Sequence, residues 1–84
     1  MANYYSHLRD GDDVLIDPDG RELPSIAAVA AATLFEAREI ISHDARSGLV
    51  RLTYHIDVED SSGALVHHLD FEDAISLVRS PGRG

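Results

Sequence analysis

The stretch Ser25–Ala45, SIAAVAAATLFEAREIISHDA, decides the fold. Its apolar positions Ile26, Val29, Ala30, Thr33, Leu34, Ala37, Ile40 and Ile41 recur at spacings of three and four, which places them on one stripe of a helix. Glu36, Arg38, Glu39 and Ser42 fall opposite that stripe, on the side expected to face solvent. Ser25 precedes the first apolar position and is suited to cap the exposed backbone N–H groups. Gly48 supplies the stop signal after the last apolar position. The run of small residues Ala27, Ala28, Ala30, Ala31 and Ala32 favours helix and permits close approach of another backbone.

Working outward, short strand-like runs flank this helix. On the N-terminal side, Asn3–Leu8 and Val14–Ile16 are separated by Arg9-Asp10-Gly11-Asp12-Asp13, which predicts an antiparallel hairpin. The turn residues Asp17-Pro18-Asp19-Gly20 then lead the chain out of the sheet. On the C-terminal side, Val50, Leu52, Tyr54, Ile56 and Val58 alternate with Arg51, Thr53, His55, Asp57 and Glu59, the pattern of a half-buried strand with one wet face. Asp60-Ser61-Ser62-Gly63 turns it back into Ala64–Phe71, where Leu65, His67, Leu69 and Phe71 are expected to share a face. Glu72–Val78 reads as one or two helical turns with Asp70 as N-cap. The expected fold is therefore α+β, in the order β-β-α-β-β, with one amphipathic helix on a small antiparallel sheet. Residues 1–79 form one domain and 80–84 a flexible tail.

Composition narrows the function classes. A chain of 84 residues holds one modest core, and without cysteine it has neither disulfide support nor thiolate metal ligands. Association with a second copy, a homodimer, or with another protein is the expected source of further stability. Fifteen acidic residues against seven arginines give a net charge of −8, a field that repels phosphate backbones, so direct nucleic-acid binding is not expected. The longest apolar runs fall well short of the roughly 20 residues that span a bilayer, and Met1–Asp10 lacks the pattern of a secretion signal. No membrane association and a cytoplasmic location are expected.

Four groups of residues resemble a known pattern: Tyr4-Tyr5-Ser6-His7-Leu8-Arg9-Asp10-Gly11, Asp17-Pro18-Asp19-Gly20-Arg21-Glu22-Leu23-Pro24, the Ala-rich helix, and Leu69-Asp70-Phe71-Glu72-Asp73-Ala74. Together they resemble a bacterial family of small proteins classed as a domain of unknown function. Its members begin Y-F-F-H-x-R-D-G, continue through D-x-x-G-x-E-L-P and close on P-F-x-D. Ser6 departs from the usual aromatic, and Leu69-Asp70 replaces the usual apolar-Pro step. The resemblance covers nearly the whole chain and implies a fold and a bacterial source, with no activity attached. A looser likeness is to antitoxins of the HicA–HicB type, which combine a short sheet with an amphipathic helix and usually add a separate DNA-binding segment.

The candidate sites are few. The acidic turns offer oxygen ligands, but the D-x-D-G-x-E stretch lacks the spacing of a calcium loop, and turn chemistry accounts for both. His67 and His68 are adjacent and point to opposite sides of a strand, and His7 could approach His55 or His68 only if their strands are neighbours; packed or solvated strand histidines account for the pattern, and no metal site and no cofactor are assigned. Neither a nucleophile elbow nor a phosphate loop is present, and an enzyme is not expected. The sheet face opposite the helix is the best candidate. Tyr5, His7, Arg51, His55 and His68 are the residues expected to make contacts there, since aromatic and Arg side chains are favoured in interfaces. The leading reading is a non-enzymatic protein-binding or dimerisation module. The alternatives are an antitoxin-like inhibitor of a basic toxin or nuclease, and a metal- or pH-responsive sensor.

Overall fold

The computed structural model describes residues 1–78. The first strand, β1 (Ala2–Asp10), is the pivot of a five-stranded antiparallel sheet. One edge of β1 pairs with β4 (His55–Asp60) along most of its length, in the register Leu8↔Ile56 and Ser6↔Val58. Its other edge is shared by two short strands. β2 (Asp13–Leu15) pairs at Leu8↔Leu15, and β3 (Arg21–Leu23) pairs at Tyr4↔Arg21. β5 (Leu65–Asp70) lies beyond β4, giving the path β2-β1-β4-β5.

The α+β class and the single helix agree with the sequence reading, and β3 is an addition to it. The departure from the sheet at Asp17–Gly20 is brief. The chain loops out for a few residues and returns to β1, because the Asp17 carboxylate stands in for the missing strand. Asp17 Oδ2 accepts from the Ser6 N–H at 3.1 Å, and Oδ1 accepts from the N–H groups of Asp19 and Gly20. Gly20 adopts φ +71°, and a Cβ there would lie 2.7 Å from Cε2 of the Tyr5 ring. Only glycine allows the return at this approach.

The helix α1 (Ile26–Arg46) starts and stops where its signals lie. Ser25 accepts from the Ala28 N–H, and beyond Ser47 the Gly48 N–H, at φ +89°, donates to Ala45 O. Val29, Thr33, Ala37 and Ile41 form the buried stripe, and Thr33 Oγ1 satisfies its hydroxyl on Val29 O at 2.8 Å. These residues pack on Ile56, Val58, Phe71 and Ala74, with Leu8, Leu34 and Leu69 around them. Ile26, expected on the stripe, is exposed, and the buried stripe begins at Val29.

Three other expectations are corrected. Residues 50–54 are not strand, so Arg51 and Thr53 lie outside the sheet face. The alternation is present, but ladder pairing ends at Arg9↔His55 on one side and at Asp70↔His55 on the other, and beyond it Tyr54 O accepts from the Phe71 N–H at 3.0 Å. In β5 a bulge at Val66 lies opposite the Val58–Glu59 step of β4, whose residues pair with His67 and Leu65. Leu65 is consequently 60% exposed while Val66 packs on the core. Finally, the helical turns expected over Glu72–Val78 reduce to a 3₁₀ turn at Phe71–Asp73. The Asp70 side chain makes no cap bond, since His68 engages it instead. Residues 79–84, which include the expected tail, lie outside the described residues.

Candidate functional site

Strand pairing distributes the sequence-predicted contact residues unequally over the open sheet face. His55 and His68 come together. They flank Asp57, whose Cα partner in β5 is His68, and the two imidazole centroids are 4.9 Å apart. His68 Nδ1 lies 2.6 Å from Asp57 Oδ1, and its Nε2 lies 2.9 Å from Asp70 Oδ1. His55 Nε2 is 3.6 Å from Asp57 Oδ2, and Arg9 Nε is 2.9 Å from the same oxygen. The Arg9 contact is a charge pairing, since its buried Nε–H makes no aligned hydrogen bond.

The electrostatics follow from this geometry. Both ring nitrogens of His68 face carboxylates, and the Asp57 hydrogen bond, aided by Asp70, outweighs desolvation and raises its pKa above 6.5. Burial opposes ionisation of Asp57, but the His68 hydrogen bond and the charges of His55, His68 and Arg9 overcome it and hold the carboxyl below 3.8.

His7 and Tyr5 are not members of this cluster. His7 is 7% exposed, accepts from the Asp17 N–H at Nδ1 and presents Nε2 to Glu59 at 3.4 Å. It ties the Asp17 loop to the sheet. Tyr5 pairs opposite Glu59 and packs beside Gly20, while Tyr4 packs on the core side. Arg51 is exposed on the segment before β4. Arg9, Asp57 and Asp70 are the cluster members that sequence reasoning left out of the contact set. Asp57 had a usable signal, because it stands two residues from His55 on the same strand face.

On the helix side the sheet is incompletely covered. The helix packs against β5, β4 and β3, and between it and the β2–β3 loop lies a groove of about 530 Å³. Tyr4, Leu8, Val29 and Ile40 form much of its wall, and Leu15 and Ile16 stand at it with 69% and 54% of their surface exposed. Glu36 also lines the groove, contrary to the expectation that it faces solvent, because the sheet does not fill the space beside this part of the helix. Its burial outweighs the attraction of Arg21 and raises its pKa above 4.5. The acidic turn at Asp17 offers no free ligand set, since its oxygens already hold three backbone N–H groups.

A model of the family described as "Domain of unknown function (DUF6894)" matches residues 3–72, and the chain belongs to that family. No curated protein and no solved structure matches it. Among the described residues, no helix is long and apolar enough to cross a membrane.

Proposed function

We propose that this member of the DUF6894 family is a non-enzymatic protein-binding module whose groove receives an apolar segment flanked by basic residues on another protein. The supporting observation is the continuity of the groove with the exposed side chains of Leu15 and Ile16. Val14, Leu15 and Ile16 are successive large apolar residues exposed at a sheet edge, where unpaired backbone groups are open to an added strand. Burying side chains of this size stabilises a complex by about 1.5–3 kcal/mol each before the costs of association.

Charge selects the partner. The groove carries Asp17, Asp19 and Glu36 against Arg21, Asp12 and Asp13 precede the apolar trio, and the whole chain is at −8. A Lys or Arg beside Glu36 would compensate a carboxylate that is already partly desolvated. A second copy would instead bring Asp12 and Asp13 toward like charges, so a basic partner is favoured over the homodimer.

The test compares wild type, Leu15→Lys/Ile16→Lys and His55→Ala as affinity baits in native lysate, with sedimentation of each protein alone. The reading requires a stoichiometric basic partner, retained by His55→Ala, lost with the double variant, and weakened as salt rises from about 50 to about 500 mM. A wild-type dimer lost in the double variant would replace it with self-association. An acidic partner, or one captured equally by the double variant, would overturn it.

A further inference from the structure

We propose that His55, Asp57 and His68 form a surface site for a divalent transition ion of the zinc class, on the sheet face opposite the groove. The three residues can offer one ligand atom each, all within 4.8 Å of one another. Bonds of about 2.0–2.1 Å in a tetrahedral site need ligand atoms about 3.4 Å apart, so the widest separation closes by at most about 1.4 Å while the 2.6 Å His68–Asp57 contact opens by about 0.8 Å. His68 is exposed and His55 is half-buried, which leaves both free to make that adjustment by side-chain rotation.

The backbone frame is already set. His55 and Asp57 sit two apart on β4, and His68 is the direct Cα partner of Asp57. All three therefore project from the same face without any change in register. Two imidazoles and one carboxylate suit zinc, nickel or copper and not magnesium or calcium, which take mainly oxygen ligands.

The surroundings also match what a metal ligand needs. Asp70 Oδ1 receives His68 Nε2 at 2.9 Å, leaving Nδ1 directed at the shared position beside Asp57. A carboxylate on the far nitrogen is the usual orienting partner of a ligating histidine. Arg9 holds Asp57 through Oδ2, while Oδ1 faces His68. One coordination position remains for water or a side chain from outside the chain. The site lies on the other side of the sheet from the groove and does not depend on the binding reading.

The test is Zn²⁺ titration of the full chain by calorimetry at physiological ionic strength, with Co²⁺ absorption to report coordination. Wild type is expected to bind one Zn²⁺, and Co²⁺ to give the intense visible bands of a four-coordinate site. His55→Ala and His68→Ala should each weaken binding at least tenfold, and Asp70→Asn by about tenfold, the effect of losing an orienting partner. His43→Ala, on the exposed end of the helix, is the control and should bind like wild type. Circular dichroism of each variant separates lost binding from lost fold. Equal Zn²⁺ affinity in His68→Ala, Zn²⁺ binding no tighter than Mg²⁺, or loss in His43→Ala would overturn the site. Failure of partner capture would leave this result untouched.

Discussion

Asp17 replaces a stretch of strand with one side chain. Its two oxygens hold the N–H groups of Ser6, Asp19 and Gly20 and permit one sheet edge to be built from two fragments. Burial opposes its ionisation, yet the bonds from the Gly20, Ser6 and Asp19 N–H groups lower its pKa below 3.8. Because the folded value lies below the unfolded one, its contribution is complete above the unfolded pKa and is lost as pH falls through the folded value. Asp17→Asn keeps one acceptor and turns an NH₂ toward a backbone N–H, so it is expected to cost about 1–3 kcal/mol at pH 7. The difference from wild type should shrink in acid, as followed by denaturant melts at pH 7 and near pH 3. Gly20 and Gly63 supply a second residue-scale contrast. Both have positive φ, but a Cβ at Gly63 meets open space and one at Gly20 meets Tyr5 and the Tyr4 carbonyl. Gly63→Ala should cost about 1 kcal/mol and Gly20→Ala at least about 2, with thermal melts as the measurement.

At the scale of elements, the helix was legible because its signals are local. Ser25, the three-four spacing and Gly48 lie within the segment they define, and Ser25→Ala should lower stability by about 1 kcal/mol in a denaturant melt. The sheet was legible only where a strand's pattern coincided with the presence of a neighbour. Val50–Tyr54 has the alternation but no partner strand, and Arg21–Leu23 has a partner but is too short to show alternation. The bulge at Val66 was invisible for the same reason, since register belongs to two strands at once. His55 and His68 were identifiable as residues of one wet face, whereas their convergence on Asp57 depends on that register. His7 misled because a surface-type residue on an alternating strand was covered by a loop whose path the sequence did not reveal.

Across the whole molecule, the two faces of the sheet carry different chemistry. One presents a histidine–aspartate cluster held by Arg9 and Asp70, and the other a groove of mixed apolar and acidic lining left open where the helix departs from β1 and β2. Glu36 connects the groove to stability. Its folded pKa is raised, so ionisation at neutral pH costs stability, and that cost fades as pH falls through the folded value toward 4.5 and below. Glu36→Gln should therefore be at least as stable as wild type at pH 7, with no advantage near pH 4, while binding a basic partner more weakly. Greater stability with weaker binding is the signature of a group retained for recognition.

The most direct test is a ¹H–¹⁵N shift map of the wild-type chain titrated with a short valine-rich peptide flanked by lysines. Saturable shifts centred on Leu15, Ile16, Val29 and Glu36 are expected, reduced in Glu36→Gln and by added salt. Shifts confined to His55, Asp57 and His68, or none at the groove at millimolar peptide, would contradict the binding reading.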